Sequence, residues 1–425
     1  MKYNLLADVD AYKNCHWKMY AKDVVRTYSY LTARKGPVYW FGLRYYLMKY
    51  LTGKVVSLKK IKEAKQLIDN TIGKGVFNTE GWMNLLFKHN GRLPIEIRAA
   101  PELNLYESGR PLLTIENTDN EFPWLPSFIE TLLVNLWYPT SVATQCCKLL
   151  NILNHYSEKT CLKPIGNQLF SNSGMRSASC PEAGSLASAA HLLFFNNTTA
   201  PAGIRLLEKY YNRNFGNKAP IGVEHSVITS YGEDNELSSY ISCLNTFPEL
   251  PITIPIDSYN IYYVAEKYFG EDLKDKILNR FGPVYVRPDS GNVIEVLQSI
   301  TNILANKFGF TVNAKGYKVL NKIRIIQGDG ISFNSLPEIL ESIITNGFSL
   351  ENYKFGSGGA LVHSDVSRDL FGFAQKLSWV RLSSGEKKDV CKNPITDPEK
   401  KSLAGRFEEK YKDLTTVFMN GSLTN

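Results

Sequence analysis

The sequence predicts an α/β protein in which a parallel βα region is joined to a mixed α+β region. Three observations lead to this. Four short apolar runs between Pro251 and Phe355 each close on an acidic or glycine-rich tip. Helical patterns fill the gaps, as at Val293–Ile300 and Leu336–Ile344. The residues ahead of Leu153 instead mix helical and strand patterns without that repeat. Strand, tip, helix, strand is the βα unit, whose strands run parallel.

Taken in order, Tyr28-Ser-Tyr-Leu-Thr-Ala alternates as a strand and ends on the basic turn Arg34-Lys35-Gly36, which could meet a phosphate or only solvent. Ser57–Asp69 is an amphipathic helix opened by a serine cap. Leu93–Ala99 and Pro111–Asn117 are strands, with a turn at Ser108-Gly109 ahead of the second. Leu125–Leu150 is helical, and Pro139 predicts a break or kink in it. The boundary falls between Leu153 and Pro164. Residues 1–155, completed by 385–425, are expected to form the mixed domain, and residues 156–384 the parallel one.

Asn172-Ser-Gly-Met-Arg176 then leads into a small-residue helix, Ala183–His191, and Arg176 ahead of a helix start suits a phosphate, or is a plain surface arginine beside a tightly packed helix. Glu224-His225 sits at a turn before another apolar run, where the histidine could be structural or functional. The βα series follows. Pro251–Ile256 ends at Asp257-Ser258-Tyr259, and Pro283–Val286 ends at Arg287-Pro288-Asp289-Ser290-Gly291. Ile323–Ile326 ends at Gln327-Gly328-Asp329-Gly330, and Tyr353–Phe355 ends at Gly356-Ser357-Gly358-Gly359. The runs are too short for helices, and β-branched residues dominate the first three. Ligands bind at the C-terminal ends of parallel strands in α/β folds. Three aspartates and a glycine loop there point to phosphates, ribose hydroxyls and Mg²⁺. The basic stretch Lys376–Arg406 could cover such a site or be plain surface.

Composition narrows the class. The 425 residues suffice for two domains, and 44% hydrophobic with 21% charged residues fits an ordinary globular protein. A net charge of +8 suits a polyanionic substrate, and no basic run or aromatic-basic stripe favours nucleic acid. The 7 scattered cysteines form no Cys-x-x-Cys pair, which argues against a disulfide framework and a structural zinc site. No apolar run approaches the ~20 residues that span a bilayer, and Met1–Asp8 has no apolar signal core. No membrane association and a cytoplasmic location are expected.

Together, Glu224-His225-Ser226, Asp257-Ser258-Tyr259, Val286–Gly291, Gln327–Gly330 and Phe355–Gly359 closely resemble the nicotinamide phosphoribosyltransferase family. Asp10-Ala-Tyr12-Lys13, Leu93-Pro-Ile-Glu-Ile, Glu116–Asp119, Trp137-Tyr-Pro and Arg368-Asp369 agree as well, so the similarity runs in order along nearly the whole chain. The resemblance implies a barrel-like parallel βα domain of the type II phosphoribosyltransferase kind beside a mixed α+β sheet domain, working as a homodimer. It implies attack of the pyridine nitrogen of nicotinamide on C1 of phosphoribosyl pyrophosphate, giving nicotinamide mononucleotide and pyrophosphate. It also implies Mg²⁺, and ATP as a co-substrate that phosphorylates an active-site histidine.

By match to the family's motifs, His225 is the phosphorylated histidine, Asp257 orients its ring, and Asp289 positions ribose and metal. Asp329 holds a ribose hydroxyl, and Gly358, Gly359 and Arg176 receive the 5′-phosphate. Arg34, Arg368, Lys376 and Lys392 line the pyrophosphate and ATP channel, and Arg287 flanks the base. Tyr12 stacks on the base from the partner subunit, and Thr253 keeps a hydroxyl near its amide. Two positions depart from the family. Ser173 stands where the family has a stacking aromatic ring, and Thr199 where it has the carboxylate that accepts the amide N–H. An altered base such as nicotinate, an altered sugar pyrophosphate, or a catalytically silent nucleotide-binding descendant therefore remain open alternatives.

Overall fold

The computed structural model describes residues 3–213 and 220–424. The chain forms two compact units, Met1–Thr144 with Ser367–Asn425, and Gln145–Val366. Both boundaries lie earlier than the sequence reading places them. The second differs because Phe373–Leu382 is a ten-residue strand that pairs antiparallel with Val24–Ala33. Its backbone hydrogen bonds commit it to the first unit's sheet, so the segment through residue 384 belongs there rather than to the parallel domain.

The first unit is built on a seven-stranded sheet. Its order is Lys387–Asp389, Phe373–Leu382, Val24–Ala33, Pro111–Asn117, Ile95–Ala99, Thr415–Met419 and Ser422–Leu423. All neighbours are antiparallel. Pro111–Asn117 is buried along its whole length, its polar Thr114, Glu116 and Asn117 included. The serine expected to open the next helix does so: Ser57 Oγ accepts the Lys60 N–H ahead of Leu58–Thr71. The expected kink at Pro139 does not occur. The chain breaks earlier, into Leu125–Phe128, Glu130–Val134 and Trp137–Thr160. Pro139 is the third residue of the last helix, within the first turn, where no N–H is needed.

The second unit carries a six-stranded, all-parallel sheet. Its order is Phe170–Asn172, Tyr353–Ser357, Ile323–Gln327, Val284–Arg287, Ile252–Pro255 and Ile221–Gly222. The four runs read from sequence are its four central strands. Burial alternates along Val284–Arg287 and Ile323–Gln327. One face packs into the core with Val296, Leu297 and Ile300 of the helix Val293–Phe308 and with Ile339, Leu340 and Ile343 of Leu336–Thr345. The other face is partly open. Ser171 and Gly222, from opposite edge strands, line one cavity, so the sheet curls into a half-barrel. Those edge strands have three and two residues, too few to show a period.

Candidate active site

A cavity of about 520 Å³ lies on the concave face of the parallel sheet, towards the C-terminal ends of its strands. His225 lines it from the first position of the short helix His225–Thr229. Its Nε2 lies 2.9 Å from Asp257 Oδ1. The Asp257 side chain is 6% exposed and that of His225 39%, so the carboxylate is walled in and the imidazole faces outward. A carboxylate can only accept, which assigns the proton to Nε2 and leaves the Nδ1 lone pair available.

The next strand supplies Arg287 and Asp289. Arg287 Nη1 donates to Asp289 Oδ2 at 3.1 Å, and Nη2 donates to the Val223 carbonyl at 3.4 Å. Burial pushes the Asp289 carboxyl above the usual carboxylate range. The Asp257 and Asp329 carboxylates add to that, while Arg287 and His225 oppose it. Three acidic tips from three successive strands thus share one electrostatic neighbourhood. Asp329 itself is exposed, on a turn held by a Gln327 Nε2 hydrogen bond to its carbonyl at 2.8 Å.

Gly358 and Gly359 follow the strand Tyr353–Ser357. A Cβ added at either would come no nearer than 3.6 Å to any neighbour. The chain's own packing does not require glycine there, and the bare backbone leaves room for a group to approach it closely. Arg176 is exposed in the turn Gly174–Ser177 and faces the same cavity.

At the predicted base positions, Ser173 Oγ donates to the Ser357 carbonyl at 3.3 Å, and Thr199 Oγ1 donates to the Asn172 carbonyl at 2.7 Å. Thr199 has therefore committed its proton to the backbone and offers a ligand only lone pairs. Thr253 Oγ1 is buried without a hydrogen-bond partner among the described residues. All three side chains line the cavity.

The remaining expected residues, Tyr12, Arg34, Arg368, Lys376 and Lys392, belong to the first unit. Within it, burial holds the Lys376 ammonium below the ordinary lysine range. Arg34, Lys392 and Lys13 repel it further, and Glu130 opposes them. The structure thus brings Arg34, Lys376 and Lys392 together as a basic cluster suited to a polyanion. Tyr12 is 56% exposed, and its hydroxyl donates to Asp10 Oδ2 at 3.2 Å.

Sequence reasoning missed Lys354, Ser171 and Asn197, which also line the cavity. Lys354 left a signal: a charged residue in the middle of a strand that is otherwise buried. Among the described residues no group of three or more His, Cys, Asp or Glu side chains could hold a metal ion. The donor set fits an ion carried in by a polyphosphate, which needs only one or two protein carboxylates. Asp289 is the candidate.

Residues 202–422 match the model of the nicotinate phosphoribosyltransferase (NAPRTase) family. Residues 4–97 match that of the nicotinamide phosphoribosyltransferase N-terminal domain. A nicotinamide phosphoribosyltransferase from Xanthomonas campestris pv. campestris is 37% identical over 412 residues, covering 95% of this chain and 87% of that protein. Another from Mycoplasma pneumoniae is 30% identical over 444 residues, covering 94% of each. Among solved structures, nicotinate-nucleotide pyrophosphorylase from Pyrococcus furiosus superposes with a TM-score of 0.56 at 14% identity, covering 98% of this chain and 90% of that one. Human nicotinic acid phosphoribosyltransferase gives 0.54 at 17%, covering 87% and 74%. At those identities the likeness shows the shared fold.

Proposed function

The chain belongs to the nicotinate phosphoribosyltransferase family, among its nicotinamide phosphoribosyltransferase members, and we propose that it joins nicotinamide to phosphoribosyl pyrophosphate. The products are nicotinamide mononucleotide and pyrophosphate, a salvage step towards NAD. The observation that carries this reading is the convergence of the Asp257 and Asp329 carboxylates on Asp289, which lines the half-barrel cavity together with His225, Arg287 and Arg176.

The bond from C1 of the ribose to pyrophosphate breaks as the pyridine nitrogen attacks, so positive charge develops on the sugar and negative charge on the leaving group. Asp289 and Asp329 face the sugar side, where Asp329 accepts a ribose hydroxyl. Backbone N–H groups at Gly358 and Gly359, with Arg176, hold the 5′-phosphate. Arg34, Arg368, Lys376 and Lys392 take the pyrophosphate, and Arg287 flanks the base. Catalysis here is positioning plus electrostatic stabilisation. Mg²⁺ bound to pyrophosphate with Asp289 would neutralise leaving-group charge.

ATP acts as co-substrate through His225: Nδ1 attacks the γ-phosphorus, ADP leaves, and Asp257 stabilises the charged ring through Nε2. The enzyme works as a homodimer, in which Tyr12 of a second copy stacks on the base. Among the described residues no helix is long and apolar enough to cross a membrane.

Pyrophosphate release from phosphoribosyl pyrophosphate, Mg²⁺ and nicotinamide tests the reading. Release is expected, accelerated by ATP, and His225→Ala is expected to keep a slow reaction while losing the acceleration. No release with nicotinamide or any related base sinks the transferase assignment. Acceleration that persists in His225→Ala sinks the role of the histidine alone.

A further inference from the structure

The floor of the cavity carries a cation that the reaction as described does not use. Lys354 extends from the strand Tyr353–Ser357, lines the cavity, and places its Nζ 4.9 Å from the centroid of the Tyr285 ring. The strand bearing Tyr285 is not its neighbour, because Ile323–Gln327 lies between them. Two strand spacings amount to ~9–10 Å. The lysine side chain therefore reaches over the intervening strand towards the Tyr285 ring. A cation–π contact with Tyr285 holds it there. Lys354 makes no ion pair among the described residues.

Thr253 is directly opposite Tyr285 in the strand register, and its hydroxyl lacks a hydrogen-bond partner among the described residues. An ammonium and a free hydroxyl thus flank the same ring. A carboxamide presents one acceptor and an N–H₂ that needs an acceptor in return. The acceptor charge expected at position 199 is replaced by a hydroxyl. A carboxylate presents two acceptor oxygens and no donor, and a hydrogen bond between it and an ammonium is charge-assisted, roughly twice as strong as a neutral one.

We propose that Lys354 is a specificity-determining residue of this pocket and that it admits a pyridine carboxylate, nicotinate, alongside the carboxamide. The inference rests on the transferase reading above and deepens it. Discrimination between the two bases is a difference of two affinities, so the informative quantity is the ratio of kcat/KM for nicotinate to that for nicotinamide.

The test measures pyrophosphate release by the full chain with each base separately, in the wild type, Lys354→Met and Lys354→Arg. Methionine keeps an apolar stem on the floor while removing the charge. The wild type is expected to turn over both bases. Lys354→Met is expected to lower the nicotinate-to-nicotinamide ratio about tenfold, the scale of one charge-assisted hydrogen bond, and Lys354→Arg to restore much of it. Wild-type turnover of nicotinamide alone overturns the inference, as does an equal loss on both bases in Lys354→Met. Turnover of neither base by the wild type overturns the transferase reading and this inference with it. Should Lys354→Met fail to fold, the Lys354→Arg ratio and the wild-type comparison still decide the matter.

Discussion

Asp289 shows how a single functional residue weighs on stability. Burial and two neighbouring carboxylates raise its proton affinity in the folded chain. A carboxyl raised above its unfolded value favours the fold while it is protonated. That contribution is complete below the ordinary carboxylate range and is lost as pH rises through the folded-state value. At neutral pH the ligand-free protein therefore holds a partly buried charge at a cost. Asp289→Asn is expected to raise the Tm of the ligand-free protein at pH 7, with the gain shrinking towards pH 4, and to depress turnover strongly. A thermal scan at both pH values with a turnover assay checks this, and a lower Tm at pH 7 contradicts it. Glu236 is a second raised carboxyl, shifted mainly by burial, with Tyr240 donating to it at 2.8 Å. Its pH dependence runs in the same direction.

At the scale of elements, each βα unit needs a sharp start to the helix that follows its functional tip. Asn292 provides one. Its Oδ1 accepts the N–H groups of Ile294 and Glu295 at 3.1 and 3.2 Å and opens Val293–Phe308 directly after Asp289-Ser290-Gly291. Gly291 has φ 89°, so the left-handed turn before the cap needs glycine. Asn292→Ala is expected to cost about 1 kcal/mol in chemical denaturation. It should affect catalysis through Asp289 placement more than through nicotinamide affinity. An unchanged denaturation midpoint would show that the cap contributes nothing to the fold.

At the scale of the whole molecule, the homodimer proposal makes a prediction that no single chain can meet. Tyr12→Ala and Asp289→Ala chains, each inactive or weak alone, are expected to regain activity when mixed and allowed to exchange. A hybrid dimer would then contain one site with neither change, since a twofold assembly uses the same surfaces in both copies. Sedimentation should report a dimer for each variant. A monomeric protein with full activity, or mixtures no more active than their parts, would rule out the shared site.

The sequence by itself determined the four central parallel strands, their acidic and glycine tips, the Ser57 cap and the candidate residues His225, Asp257, Asp289 and Asp329. These signals are local: a short β-branched run, a turn residue and a cap each act over a few neighbours. What needed the tertiary structure is non-local. Phe373–Leu382 joins the first unit only because it pairs with Val24–Ala33, more than 300 positions away. The helix start at Leu43 is capped by a remote carboxylate, Glu102, which accepts from Gly42, Leu43 and Arg44 N–H groups at 2.6, 2.9 and 2.8 Å. The two edge strands exist only because a neighbouring strand offers them hydrogen bonds. Lys354 becomes a floor residue only because the sheet curls and its side chain reaches across an intervening strand to Tyr285. A sequence records which groups are available, and their meeting depends on hydrogen-bond pairing and curvature that no local window contains.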